Sequence, residues 1–184
     1  AADGLMVLTD GADITGNITN TSDSNGTLTV NGASTINGLM GVVGGQDIKV
    51  LAVAATNGIV TLTDNTNIIN TNIAAAGQVK FVDTTNNAIT TEGNFNVTSN
   101  GVIDVGTVTV TGSGTGAYTC GTACVFKVTI GTTNGKLDMS TGGVVMENDA
   151  VVTPVIAGTV TSGVAITIIE DTDTSDKPTT ANLV

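Results

Sequence analysis

The chain has 184 residues, of which 40% are apolar, 2% are aromatic and 11% are charged. Sixteen Asp and Glu residues against five Lys give a net charge of −11, and the sequence contains no His, Trp or Arg. This composition leaves no basic surface for nucleic acid, and the lack of His excludes Ser-His-Asp catalysis, Cys-His catalysis and two-His zinc sites. The length predicts one domain with a sizeable core.

Short runs of β-branched and apolar residues recur along the whole chain and predict an all-β protein with little helix. Gly, Asn or Asp bounds each run and supplies the turns. No window carries a sustained 3.6-residue period with helix caps. In chain order, the predicted strands are Leu5–Leu8, Thr27–Val30, Ile48–Val53, Ile59–Thr63, Gln78–Val82, Phe95–Thr98, Thr107–Thr111, Val125–Ile130, Gly143–Met146, Ala150–Thr153 and Val164–Ile169.

The turn signals leave two arrangements of these strands open. Six Asn-Gly dipeptides are typical of tight hairpins between antiparallel strands. The first three, however, begin consecutive hexads over residues 25–30, 31–36 and 37–42, and a fixed short period is typical of a β-solenoid. The scarcity of aromatic residues also favours stacked coils. We therefore predict a parallel β-solenoid, with an antiparallel β-sandwich or jelly roll as the alternative.

The domain predicted from the sequence spans residues 1–169, and residues 170–184 form an acidic, Thr-rich tail or connecting strand. No apolar stretch reaches the length of a membrane-spanning helix. The start at Ala1, without Met, is typical of a mature terminus left by a cleaved signal peptide, and a cloned fragment has the same appearance. We expect an extracellular or cell-surface location.

The two cysteines, Cys120 and Cys124, are separated by three small residues. This spacing suits a disulfide that closes a tight turn. A metal or redox pair is the competing interpretation, but no second ligand cluster and no helix N-terminus accompanies it. A structural disulfide agrees with export to an oxidising compartment.

One cluster of oxygen ligands resembles a calcium loop. Asp171, Asp173, Ser175 and Asp176 alternate along the acidic tail, although the Gly and the bidentate Glu of an EF-hand are missing. A solvated tail is the other interpretation, and no other cofactor is expected.

Catalysis has little support in the sequence. Glu92, Glu147 and Glu170 are the carboxylates with which glycoside hydrolysis is conceivable. Sugar sites usually stack rings on Trp or Tyr, and the chain has one Tyr and no Trp. We predict that the protein is not an enzyme.

Threonines repeat at alternate positions in several predicted strands, for example Thr27/Thr29, Thr61/Thr63 and Thr109/Thr111. Alternate residues of a strand share one face, so aligned copies form a flat array of the kind that orders water on ice. Because their separations do not fit one coil length, an ice-binding protein is a minor alternative.

Three runs carry a resemblance to known proteins: ITGNITN at 14–20, GTLTVNGASTING at 26–38 and GIVTLTDN at 58–65. They resemble passenger domains of bacterial autotransporters, especially rickettsial surface antigens, and filamentous-haemagglutinin-type coils. The second run is also similar to repeats in phage tail fibres. The resemblance implies an elongated β-structure displayed outside the cell for adhesion or coat formation, and it carries over no catalytic residues.

We therefore predict a non-enzymatic extracellular structural protein that assembles with copies of itself into a filament, pilus-like fibre or coat, with adhesion as a second role. Strand addition by a neighbour satisfies the unpaired edges of Val/Ile-rich β-units. The predicted assembly residues are Leu5, Met6, Val7, Leu8, Ile166, Ile168 and Ile169. The alternative is a monomeric adhesin or autotransporter passenger fragment, or a phage-fibre-like binding module, that recognises a host or glycan surface.

Overall fold

The structure, a computed structural model, describes residues 3–42, 46–54, 58–83, 85–86, 88–113, 115–139, 142–147, 149–161, 163–171 and 182–183. These residues contain eighteen β-strands and no helix. The strands are β1 Leu5–Leu8, β2 Ala12–Thr15, β3 Asn25–Val30, β4 Ala33–Asn37, β5 Ile48–Val53, β6 Ile59–Leu62, β7 Thr66–Ile73, β8 Gln78–Phe81, β9 Ala88–Val97, β10 Val102–Asp104, β11 Thr109–Ser113, β12 Tyr118–Cys120, β13 Val125–Gly131, β14 Lys136–Asp138, β15 Val144–Met146, β16 Val151–Ala157, β17 Ile169–Glu170 and β18 Asn182–Leu183.

The strands form a parallel β-solenoid of about six turns. They make one sheet of ten strands and one of eight, and every strand pair in the described residues is parallel. Each strand pairs with one roughly a coil later in the sequence, as Val50 pairs with Asn70 and Tyr118 with Val144. The all-β and β-solenoid predictions are confirmed, and the antiparallel sandwich or jelly roll is wrong.

The coils have three sides, which we name faces A, B and C. Face A consists of β1, β3, β5, residues 70–73 of β7, residues 94–97 of β9, β12 and β15. Face B is the eight-stranded sheet. Face C consists of the first parts of β7 and β9 with β11, β14 and β17, because β7 and β9 each turn a corner.

The three hexads correspond to the three sides of a single coil. Residues 25–30 form β3 on face A, residues 31–36 lead into β4 on face B, and residues 37–42 contain Met40, which bridges to Ile18 and Thr66 on face C. The hexads stop at Val42 because the corner segments that follow differ in length, so that coils range from 19 residues between Ile59 and Gln78 to 32 between Leu137 and Ile169.

Three of the Asn-Gly dipeptides, at residues 31–32, 100–101 and 134–135, lie between successive strands at coil corners, where the chain passes to the next face instead of forming a hairpin. At one corner Asn100 has φ +60° and Gly101 donates its N–H to the carbonyl of Thr98 at 2.9 Å. A Cβ on Gly101 would lie 2.7 Å from Cγ1 of Val97. The glycine is therefore needed for the tight inner packing of the corner, while Asn100 supplies the left-handed conformation of the turn.

The core is a set of side-chain columns that run along the stack. One column on face A contains Met6, Leu28, Leu51, Thr71, Phe95, Tyr118 and Val144 in register. Its members from Leu28 to Val144 are at most 2% exposed. Since each side chain packs on its equivalent in the next coil, a coil is stable only when a neighbour covers it.

The predicted strand at Val164–Ile169 is wrong in most of its length. Only Ile169 belongs to a strand, β17, and Gly163, with φ +82°, turns the chain just before the predicted run. Val164, the first residue of the predicted strand, is 61% exposed. The apolar run packs only Ile168 and Ile169 against the core, so it approaches the stack as an irregular segment rather than as a full rung.

Tyr118 lies entirely within the core, and its hydroxyl is buried with no hydrogen-bond partner among the described residues. Burial raises the pKa of this phenol, so it stays neutral at ordinary pH. An unpaired buried hydroxyl costs about 1–3 kcal/mol. We expect Tyr118→Phe to raise the free energy of unfolding by about 1 kcal/mol, measured by urea denaturation. A loss of stability in this variant would instead mean that an internal water binds the hydroxyl.

Candidate functional site

Exposed apolar side chains are concentrated at the two ends of the solenoid. Three of them lie in the first coil and five in the last part of the described stack, whereas only Val42 and Ile59 lie between. The end residues are Leu5, Met6, Val7, Val145, Val155, Ile156, Val160 and Val164, which are 39–69% exposed. Apolar exposure of this kind marks surfaces that bind other proteins.

The N-terminal end presents an unprotected strand edge. β1 pairs only with β3 in the described residues, and its four side chains are all apolar. Natural edge strands are usually blunted by charges, Pro, bulges or short length. Met6 faces the core and is 41% exposed, although its equivalent in the next coil, Leu28, is 2% exposed. A cavity of about 220 Å³ beside Met6, Ile18 and Leu28 leaves this end of the core open.

The C-terminal end closes with two short strands on different faces, β17 on face C and β18 on face B. Lys136 on β14 makes ion pairs with Asp138 and with Glu170 of β17. The carboxylate of Asp171 accepts a hydrogen bond from the N–H of Val144 at 2.9 Å, on the outer edge of β15. These contacts attach residues 169–171 to the stack.

The structure places the predicted assembly residues at opposite ends of the molecule. Leu5, Met6 and Val7 are exposed on β1, whereas Leu8 is buried. Ile166 is half-buried, and Ile168 and Ile169 pack partly against the core. β1 belongs to face A and β17 to face C, so the two segments are not on the same side of the solenoid.

The calcium prediction falls mostly outside the described residues, because Asp173, Ser175 and Asp176 lie there. Asp171 is described, and its carboxylate binds the amide of Val144. Within the described ranges, no three Asp, Glu or Cys side chains converge in a way that would hold a metal ion.

The three glutamates considered for catalysis have separate environments. Glu147 accepts a hydrogen bond from the hydroxyl of Thr122 at 2.6 Å, and Glu170 pairs with Lys136. Glu92 lies at the corner between faces C and A, where it lines a cavity of about 190 Å³ together with Asp47.

Asp23 completes this acidic corner, which we define as Asp23, Asp47 and Glu92. The N–H of Asp47 donates to Asp23 at 3.4 Å, and Oδ1 of Asp47 is buried with no hydrogen-bond partner in the described structure. Burial and the neighbouring Asp23 raise the pKa of Asp47, and burial with both aspartates raises the pKa of Glu92. Sequence reasoning missed this corner, although Asp23 and Asp47 are one coil length apart.

The acidic corner predicts that stability rises when the solution is mildly acidified. A raised pKa means that the folded state binds the proton more tightly than the unfolded chain, so stability falls as pH rises through the window above the ordinary carboxyl pKa of 4.5. The pKa values of Asp3 and Asp83 are lowered, so these two carboxylates stabilise the folded state. That stabilisation is lost only at more acidic pH, where both groups take up protons.

We expect Glu92→Gln to be more stable than the parent at pH 7 by a few tenths of a kcal/mol, because the site is largely solvated. Its melting temperature should also change less between pH 7 and pH 5. If the melting temperatures of the parent and the variant depend on pH in the same way, Glu92 is not repelled by Asp23 and Asp47.

The alternating threonines do not form one flat array. Thr27 and Thr29 point outward on face A, Thr61 points outward on face B, and Thr109 and Thr111 point outward on face C. At these positions threonines align in register only in pairs, Thr61 with Thr35 on face B and Thr111 with Thr90 on face C.

Cys120 and Cys124 lie at disulfide distance across the corner between β12 and β13. Their Cα atoms are 5.7 Å apart, and both side chains are fully buried. In the preceding coil the equivalent positions are Val97 and Gly101, which the registers of β12 and β13 identify. The cysteine pair fills the space that a Val and a Gly occupy one coil earlier.

No helix in the described part of the chain is long and apolar enough to cross a membrane. Comparison with known proteins adds no relationship: no family model, no curated protein and no solved structure matches this chain.

Proposed function

We propose that this protein is a non-enzymatic extracellular structural subunit that stacks end to end with copies of itself to form a filament, pilus-like fibre or coat. The carrying observation is the open core at the N-terminal end, where the inward-facing Met6 is 41% exposed although its equivalent in the next coil, Leu28, is 2% exposed. A solenoid is completed by adding coils, and the ends are the only places where a further coil can pair with the existing sheets.

The geometry supports head-to-tail addition. All strands run parallel, so a second copy placed with its first coil on the last coil of the first copy continues both sheets without reversing direction. The side-chain columns also continue, because the inward positions of β1, Met6 and Leu8, are apolar like the inward positions of the later coils on face A apart from Thr71. A head-to-tail interface does not close on itself and gives an open fibre.

The charge distribution is compatible with this role. The acids keep a chain with 40% apolar residues soluble, and the described face A strands carry one charged residue, Lys49, at the margin of β5. The cysteine pair and the export predicted from the sequence support an extracellular setting.

Deletion of residues 1–10 tests the proposal, because it removes β1 while leaving β3 to end the stack. We expect the parent to form fibres in electron micrographs and the truncated chain to remain as small particles with unchanged β-sheet circular dichroism. Deletion of residues 164–184, which removes β17 and β18, should have the same effect. A truncated, folded chain that still forms fibres would reject end-to-end strand addition, and a parent that stays monomeric at all concentrations would favour a binding module.

A further inference from the structure

Face A presents an outward surface with almost no charge, which is unusual for a chain with a net charge of −11. One outward column on this face runs from Val7 through Thr29, Asn72 and Asn96 to Val145. We name the outward side of face A between residues 5–8 and 144–146 the neutral face.

Amide ladders keep the centre of the neutral face regular. The side-chain amide of Asn96 donates to Oδ1 of Asn72 at 2.9 Å, and that of Asn94 donates to Oδ1 of Asn70 at 3.2 Å. Stacked identical amides hold their side chains in one conformation and present a flat surface. Such ladders occur where β-sheets pack face to face.

The other faces carry the charges. On face B, Lys80, Asp104 and Lys127 stand in one outward column. On face C, Lys136 pairs with Asp138 and Glu170. A second copy of an acidic protein therefore approaches with the least repulsion and the least desolvation cost at the neutral face.

The geometry points to the neutral face as a lateral contact between two copies of this chain, which joins filaments side by side in pairs; this inference rests on the proposed end-to-end assembly. A two-fold axis along the stack places the acidic corner of each copy opposite the far margin of the other copy. That margin is uncharged at Ala74, Thr98 and Gly121, and it carries one charge, Glu147, at the equivalent position of the last coil.

The neutral face of one subunit is too small to hold two single subunits together, so the lateral contact requires filaments. Seven strands spaced by about 4.8 Å and four residues of about 3.3 Å each give roughly 400 Å² per copy. Stable complexes bury about 800 Å² per partner, so one pair of subunits does not hold together. Repetition of the contact along two filaments supplies the missing affinity. Paired filaments should therefore appear only after single filaments have formed.

A matched pair of isosteric substitutions tests this inference. Asn72→Asp places a charge on the neutral face, and Oδ1 at this position can still accept from Asn96. Asn37→Asp places the same charge on face B, where Oδ1 of Asn37 accepts from the hydroxyl of Thr63 at 3.0 Å. Both side chains are exposed in the monomer.

In electron micrographs we expect the parent and Asn37→Asp to form filaments joined side by side in pairs, and Asn72→Asp to form single filaments of normal length. About 0.5 M salt should restore the pairing of Asn72→Asp filaments, because it screens the added charge. Asn72→Asp filaments that pair as those of the parent do, or parent filaments that never associate laterally, would overturn the inference and leave end-to-end assembly intact. A parent that forms no filaments would overturn both proposals.

Discussion

Met6→Lys should abolish end-to-end assembly while leaving the monomer folded. In the monomer Met6 is 41% exposed, so the longer lysine side chain reaches water. In a stack the same position is covered by the next subunit, as Leu28 and Leu51 are covered in the chain itself at 2% and 0% exposure. An unpaired charge buried there costs several kcal/mol.

This free-energy cost should raise the critical concentration for fibre formation strongly. A penalty of about 2.7 kcal/mol corresponds to a factor of about 100, so the critical concentration for fibre formation should rise at least about 100-fold. Sedimentation velocity over a concentration series measures it. Thr35→Lys is the matched control, because it adds the same charge on an outward position of face B between Asp13 and Thr61. Fibres of Met6→Lys at the parent's critical concentration would contradict the role assigned to β1.

Replacing the cysteine pair should lower the free energy of unfolding by the second largest amount that we predict. The preceding coil shows which residues can replace it. A cross-link that closes a five-residue loop stabilises the folded chain by about 2 kcal/mol through the entropy of the unfolded state. Cys120→Val with Cys124→Gly copies the Val97 and Gly101 pair of the preceding coil and should lose about this amount.

Cys120→Ala with Cys124→Ala should lose up to about 1 kcal/mol more than the Val and Gly variant, because two alanines fill the buried site with one carbon atom fewer. Urea denaturation of both variants, and of the parent with and without a reducing agent, measures these differences. A reductant that leaves the parent's midpoint unchanged would show that the pair carries no stabilising cross-link.

The fold was predictable from the sequence because one coil contains a clear six-residue repeat. Residues 25–42 contain three hexads that form the three sides of one turn, so the repeat indicated a solenoid even though it is only one coil long. Later coils do not show this repeat in their sequence. Strands β7 and β9 each turn a corner without a break, and the corner segments vary in length. β2 and β4 were missed because ADIT and ASTIN contain too few apolar residues to be recognised as strands.

The candidate assembly ends were predictable only in part. The apolar run of β1 was visible as four consecutive residues, and the structure shows that it is the first strand of its sheet. Val155 and Ile156 were not predicted as exposed, because an apolar run gives no sign that β16 extends beyond the strands that cover it. The acidic corner depends on contacts between residues in successive coils, which a short repeat does not specify.

The most direct test of end-to-end assembly is electron microscopy of the purified, untagged chain at several concentrations, with sedimentation velocity on the same samples. We predict unbranched fibres whose length increases with concentration and whose axial repeat equals the height of one solenoid. Small particles of constant sedimentation coefficient across the whole series would contradict the proposal and direct attention to ligand binding by a monomer.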